Sequence, residues 1–313
     1  VIWLLWRRHR VALVILTALI LGLGAAFFVA GLVTRAVFPA ELLGRCTEQD
    51  WPQWNCGLSP DDPAAVYLRT THYAFTLVTF LPILTSVFLA IPAFAGEYQS
   101  GTARWGLTQG VSRDRWFLAQ AAAVLLPTLA WCVILQLGIQ FWLGPVREEV
   151  GLSPYGGMSV NPLGLPMATL FLAATGLFTG AWLRRTSPAI AVTVIGSYLI
   201  LFANALLRPW YLPPVVAEAN TVPGGAGSQV RIWPTDPAGT EISWIHAADL
   251  AAQHAPAGEQ DLDPYYAEAG IRIWVSYHPE ERIWLLNLIE AGILFALTAL
   301  CLFGAWQLVR RRG

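Results

Sequence analysis

No lysine occurs in this chain; all 19 basic side chains are arginine. Without lysine there is no P-loop to grip nucleotide phosphates and no amine to form a Schiff base, so the chain carries no Walker-type ATPase site of its own. Charge of either sign is scarce. Acidic and basic residues make up 12% of 313 residues, against 56% hydrophobic residues and a mean hydropathy of +0.52. Soluble chains carry about twice that charge fraction, so a water-soluble protein is excluded. The apolar stretches contain no Ser-His pair, paired carboxylates or metal-binding cluster, which leaves no basis for an intramembrane enzyme.

What is abundant is uninterrupted apolar sequence. Val11 to Val33, Tyr73 to Ala95, Phe117 to Leu143, Leu163 to Leu183, Pro188 to Leu207 and Ile283 to Val309 contain one acidic side chain, Glu290, and no basic one. Each is long enough to cross a hydrocarbon layer of ~30 Å at about 1.5 Å per residue. In hydrocarbon the backbone must satisfy its own amides, and the runs lack strand alternation, so six transmembrane helices are expected. The fold class is therefore an all-α polytopic membrane protein. The first run exceeds the ~7 to 15 apolar residues of a cleavable signal peptide, so it is expected to be a retained span.

An even number of spans places both termini on one side, and arginine decides which. Arg7, Arg8, Arg10, Arg104, Arg113, Arg115, Arg184, Arg185, Arg310, Arg311 and Arg312 share one side, whereas the short opposite loops hold only Arg35, Arg45, Arg69 and Arg147. The arginine-rich side is expected to be cytoplasmic. On it lie only Glu97 and Asp114, so the other face is acidic. The same topology divides the four cysteines. Cys132 and Cys301 fall within spans, while Cys46 and Cys56 share the first outer loop. Outside the cytoplasm such a pair is expected to oxidise to a disulfide, with two free thiols as the alternative.

Residues 1–10 combine apolar bulk, two tryptophans and a basic end, the pattern of an interfacial elbow helix; the alternative is a plain extension of the first span. Residues 11–207 carry spans one to five and the loop 96–116. Residues 283–313 are the sixth span and a basic tail. Between spans five and six, residues 208–282 are polar and punctuated by Pro and Gly, and are expected to form a small extracellular α+β lobe. Val230 to Trp233 and Ile271 to Tyr277 read as its strands, and Ser243 to His254 as a short helix. His246 and His254 are about 80° apart on such a helix, so no metal site is expected.

Several polar groups interrupt the spans. Glu290 lies roughly 10 Å inward from Ile283, with Asn287 one turn nearer the surface on the same face. Gln136 and Gln140 on the third span, and Asn204 on the fifth, occupy similar depth. Two readings stand: a substrate pathway or outer gate, or interhelical hydrogen bonding that holds the bundle together. Gly176 and Gly180 form a Gly-x-x-x-Gly, which permits close helix contact either within one chain or between chains. Pro82, Pro92 and Pro127 are candidates for kinks.

The loop after the second span, Glu97 to Trp116, is amphipathic, basic and broken at glycines. It reads as a short interfacial helix after Gly101, a turn near Gly110, and a cap at Ser112 or Asp114 for the third span. Its residues resemble those of the permeases of type-two ATP-binding-cassette exporters, whose first cytoplasmic loop carries a Glu, a Gly-Thr four and five positions later, and then Ser-Arg. Glu97, Gly101, Thr102, Ser112 and Arg113 match. Thr108, Gln109, Val111, Ser112, Arg113 and Trp116 are similar to a bacterial subgroup, as are Glu290 and Gly292 in the last span. The chain departs from that pattern at Gln120, where many relatives place a lysine, and in lacking a proline before Ser112.

The resemblance implies a multi-pass permease in a bacterial plasma membrane. It implies that the loop is a coupling helix seated on a separate ATPase subunit, with Glu97, Gly101, Thr102, Ser112 and Arg113 as the coupling residues. No cofactor is expected on this chain; ATP and magnesium belong to the ATPase partner. A second copy of this permease or a related one, and the lipid membrane, complete the implied partners, and no nucleic acid is expected. The implied activity is export of a hydrophobic or amphipathic compound driven by ATP hydrolysis elsewhere. The rival is a non-transporting membrane sensor that relays ligand binding at the outer lobe to a cytoplasmic partner.

Overall fold

The structure, a computed structural model, describes residues 2–37, 66, 73, 76–102, 112–150, 162–219, 228–256 and 262–312. Cys46 and Cys56 lie outside the described residues, as do 103–111 of the loop. Among the described residues, six helices are long and apolar enough to cross a membrane: His9–Ala36, Thr76–Gln99, Arg113–Gly144, Gly164–Leu183, Thr186–Trp210 and Glu281–Arg311. They belong to α1 (Ile2–Val37), α2 (Thr76–Gln99), α3 (Arg113–Val150), α4 (Gly164–Leu183), α5 (Thr186–Leu207) and α8 (Glu280–Arg312). The chain forms two compact units, residues 1–206 with 287–313, and residues 207–286.

The first ten residues correct one expectation. Ile2–Val37 is a single 36-residue helix, so the elbow is not a separate element but the plain extension of the first span. Neither glycine nor proline occurs between Ile2 and Val11 to break it, and α1 outruns the ~30 Å hydrocarbon layer by several turns.

α1 and α3 pack in parallel, as alternate spans must. Trp131 donates its indole N–H to Thr17 Oγ at 3.2 Å, Phe28 stacks on Phe141 at 4.6 Å between centroids, and Phe27 meets Trp142. Between these contacts a methyl on Gly138 would lie 3.0 Å from the Gly24 carbonyl oxygen. The two backbones therefore approach closely where both helices offer a glycine.

The centre of the bundle is α4, with 78% of its apolar window buried against 22% for each of α1, α5 and α8. Its glycines meet α2 within the same chain, which decides between the two uses of Gly-x-x-x-Gly. A methyl on Gly176 would stand 2.5 Å from Ser86 Oγ, and one on Gly180 would stand 3.0 Å from the Ile91 carbonyl oxygen. Ser86 in turn donates across the helices to the Leu172 carbonyl at 3.0 Å. Here α2 is not a regular α-helix: Ser86–Ala90 and Pro92–Gly96 are two successive π-helical segments. Pro92 lacks the N–H that a regular turn requires, and the wider turn absorbs that loss. Pro82 similarly follows a turn at Thr79 and Phe80, whose amides bond to Thr76 and Leu77.

The peripheral helices are joined to α4 by polar contacts. The buried stripe of α5 is narrow, Ala189, Thr193, Ser197, Leu201 and Asn204. Thr193 shares a 2.6 Å hydrogen bond with Thr179 of α4. On α8, the Cys301 thiol lies 3.7 Å from Thr175 Oγ, and Gly304 accommodates the Phe178 ring.

In the second unit, β1 (Val215–Glu218), β2 (Ser228–Thr235) and β3 (Arg272–His278) form an antiparallel sheet in the order β1-β3-β2. The two strands expected from alternation are β2, longer than the pattern suggested, and β3, of the expected length but shifted by one residue. The third, β1, was hidden in a short run after two prolines. The expected helix is α6 (Trp244–Ala252), where the Ser243 hydroxyl caps the His246 amide at 3.2 Å. A further helix, α7 (Asp263–Glu268), begins with a proline in its first turn, and its Tyr266 meets Trp244 edge-on.

Gly180→Ala is expected to lower the thermal unfolding midpoint of the detergent-solubilised chain, because overpacking against a backbone oxygen costs about 1–3 kcal/mol. Gly196→Ala, where nothing lies within 4 Å, should leave the midpoint unchanged or raise it slightly.

Candidate coupling site and buried polar pair

At the end of α2 the chain turns sharply and is held by its own polar side chains. Glu97 is buried, and its Oε2 accepts the Thr102 hydroxyl at 2.5 Å. Ser100 Oγ lies 2.8 Å from Thr102 Oγ and donates to the Gly96 carbonyl. Gly101 has φ +72 and its amide bonds to the Tyr98 carbonyl at 3.3 Å. A left-handed residue just past a helix end is the place for glycine, since a Cβ there costs roughly 1–2 kcal/mol. Glu97 opens the last turn of α2. It sits at a helix C-terminus, which disfavours a carboxylate, and the short Thr102 bond offsets that.

Where the chain returns, Ser112 Oγ accepts the Arg115 amide at 3.3 Å, an N-cap for α3. Arg113 reaches the end of α8 and donates Nη1 to the Arg310 carbonyl at 2.7 Å, one of the carbonyls a helix leaves unsatisfied at its C-terminus. Beside it, Asp114 Oδ1 accepts the Trp306 indole N–H at 2.8 Å and lies 3.4 Å from Arg310 Nε. Both ends of the loop are therefore fixed, one by Glu97 and Thr102, the other by Arg113 and Asp114.

The turn between α4 and α5 joins the same region. α4 ends at Arg184, a left-handed residue with φ 56 whose amide bonds to the Gly180 carbonyl. Its guanidinium lies 4.7 Å above the Tyr98 ring, and Thr186 Oγ donates to Gln99 Oε1 at 3.1 Å. The last turn of α2 is thereby tied to the α4–α5 hairpin.

A family model described as ABC-2 membrane transporter related matches residues 9–208. The chain belongs to that family. It is a multi-pass membrane protein and an ABC-2-type permease, a class that forms the membrane component of transporters and associates with an ABC ATPase. The match takes in α1 to α5 and the loop ends just described, and ends at residue 208, before the strands of the second unit and before α8. No curated protein matches the chain.

The second group of expected residues lies deeper in this ABC-2-type permease. Asn204 Nδ2 on α5 donates to Glu290 Oε1 on α8 at 3.0 Å, and both side chains are buried, 4% and 1% exposed. A carboxylate within hydrocarbon is tolerated only where protein groups meet it. Asn287 is buried one turn away, Gln136 is buried and Gln140 half-buried on α3. The hydrogen bond thus unites α5 and α8, the two helices with the least buried apolar surface besides α1. Gly292, which follows Glu290 by two residues, faces open space with nothing within 4 Å. Gln120 is 1% exposed, and a neutral amide is far less costly there than a charged lysine would be.

Sequence reasoning missed Tyr98 and Arg184. Arg184 was only part of a charge count, although a basic pair, with no glycine at the stop, ends the apolar run of α4. Nothing in the sequence marks Tyr98, because its role depends on a partner 86 residues away.

Asn204→Ala removes the amide donor from Glu290 Oε1 and is expected to destabilise the bundle by about 1–3 kcal/mol. Combining it with Glu290→Ala should cost less than the two single changes added together. Thermal unfolding of the three variants in one detergent measures that coupling.

Proposed function

We propose that this permease couples ATP hydrolysis by separate nucleotide-binding subunits to the export of a hydrophobic or amphipathic compound, and that it works as a pair of permease chains. Both termini and the loop 96–116 face the cytoplasm, the second unit faces outward, and the membrane is a bacterial plasma membrane. In this reading the loop is the coupling helix. Glu97, Gly101 and Thr102 fix its departure from α2, and Ser112 and Arg113 fix its return into α3.

One observation carries the reading: both ends of the loop are fastened, one through the last turn of α2, which is tied to Arg184 at the end of α4, and the other through Arg113 to the end of α8. A push on residues between Thr102 and Ser112 reaches α4 directly, through α2 at Gly176 and Gly180, and reaches α8 through Arg113. A loop that merely linked two spans would need neither clasp. On the outer side, Glu290 with Asn204, Asn287, Gln136 and Gln140 forms the polar end of the pathway, and a Cys46–Cys56 disulfide closes the first outer loop. The chain supplies no catalytic group; ATP and magnesium reside on the partner.

The test uses the chain co-expressed with its cognate ATPase subunit and reconstituted in vesicles. Gly101→Val imposes a strain of about 1–2 kcal/mol on the loop, so transport per ATP hydrolysed is expected to fall roughly five- to thirtyfold while the two proteins still co-purify. Failure of the native chain to bind the ATPase subunit, or ATP turnover by the complex with no nucleotide-dependent flux, would refute the proposal.

A further inference from the structure

Buried hydroxyls inside the spans satisfy themselves. Thr34, Thr128, Thr169 and Thr298 each donate to the carbonyl four residues back, at 2.7 to 2.9 Å, and Thr179 shares a bond with Thr193. The Asn204 amide has Glu290. Gln120 breaks this pattern. It is 1% exposed, and neither its amide nitrogen nor its carbonyl oxygen has a hydrogen-bond partner. Ser197 Oγ is also buried without one, but rotation about a single bond brings a serine hydroxyl to the carbonyl one turn back. A glutamine amide has two ends to satisfy, and the interior of its own helix leaves no backbone group free to meet both.

Gln120 lies roughly 10 Å along α3 from Arg113. Trp116 and Phe117 are one turn before it on the same face and Val124 one turn after, and all three are buried. Phe94 of α2 meets Trp116 edge-on at 5.2 Å and stacks on Phe117 at 5.8 Å, and Tyr98 meets Trp116 at 6.1 Å. The amide therefore borders an aromatic cluster at the arginine-rich end of α3. Packing gives no reason for an amide here, because an apolar side chain of the same volume would fill the position without an unmet donor and acceptor.

We propose that Gln120 binds the uncharged polar head of an amphiphilic cargo, the head accepting from the amide N–H and donating to the amide carbonyl. The inference rests on the export reading above for the passage of that cargo, and narrows the cargo to amphiphiles with a hydroxyl or amide head. Two properties of the position make the selection. An anionic head would engage the N–H and leave the carbonyl unmet, a cationic head would do the reverse, and a hydroxyl or amide serves both ends. A charge placed beside Phe117 and Val124 would also carry a desolvation cost that a neutral head avoids. The rings of Trp116, Phe117 and Phe94 offer apolar contact to the chain that follows the head. Seating it requires those rings to part, and the unmet amide is what the head satisfies when they do.

The test uses the purified full-length chain, without any ATPase subunit, in nanodiscs of phosphatidylcholine. Monooleoylglycerol, oleate and oleylamine offer one hydrocarbon chain with a neutral, an anionic and a cationic head, and native mass spectrometry counts the probe retained. The native chain is expected to retain monooleoylglycerol at least about fivefold over either charged probe. Gln120→Met and Gln120→Leu should each erase that preference and, with no probe added, raise the thermal unfolding midpoint by about 2 °C or more. Gln253→Met, at an exposed position of the second unit, should change neither. Equal retention of the three probes by the native chain, or preference for a charged one, overturns the proposal, as does a preference that outlives both substitutions. A midpoint that rises in neither variant also overturns it, because the amide is then part of the packing and holds nothing in reserve for a ligand. With no ATPase subunit present, failure of this test leaves ATP coupling standing, whereas a native chain that selects the neutral probe yet shows no ATP-driven flux would sink the coupling and keep the site.

Discussion

The close approach of α4 to α2 is the contact on which the remaining arrangement depends. Gly176 lets the backbone of α4 lie against the side chains of Ser86, Ala90 and Ile91, and Gly180 lets it lie against the backbone of Ile91 and Ala95. In hydrocarbon there is little hydrophobic gain from pressing two apolar helices together, so close packing and interhelical hydrogen bonds must supply the attraction. Ser86 adds such a bond to the Leu172 carbonyl. The two π-helical segments of α2 contribute to this same surface, where Ser86, Leu89, Ala90, Ala93, Phe94 and Ala95 are buried, so irregular backbone is packed against protein.

From this centre outward, attachments become polar. α5 is joined to α4 by Thr179 and Thr193 and to α8 by Asn204 and Glu290. These helices expose Ile195, Leu199, Phe202, Phe295 and Phe303, side chains that are as content against lipid tails as against one another. A few hydrogen bonds therefore fix the position of helices that apolar burial would leave unplaced. Glu290 has one reading that needs no transport, as the group that ties α8 to α5, and another as the lining of a pathway; the two are compatible because the same bond serves both.

The loop ends follow the same logic at the other side of the bundle. A chain leaving a helix exposes carbonyls, and a chain starting one exposes amides. Here Arg113 satisfies a carbonyl at the end of α8, Ser112 satisfies an amide at the start of α3, and Gly101 and Arg184 provide the left-handed turns that end α2 and α4. Arg113 comes from a different helix, so closing the end of α8 also fixes the start of α3.

Six spans, their limits within a few residues, and the residues that open and close the loop were legible in the sequence, because each follows from local chemistry. A run of apolar residues must be helical in hydrocarbon; glycine tolerates φ +72; serine caps a helix. Two strands and one helix of the second unit were legible from alternation and a cap, while β1 was too short to stand out. The unbroken α1 was misjudged, since a basic tryptophan-rich start looks interfacial whether or not the helix bends. Which groups meet was decided only by tertiary structure: Asn204 with Glu290, Arg184 with Tyr98, Arg113 with the end of α8, and the glycines of α4 with α2 of the same chain. Sequence spacing places a side chain on a helix face, but the rotation and depth of each helix against its neighbours determine what that face touches.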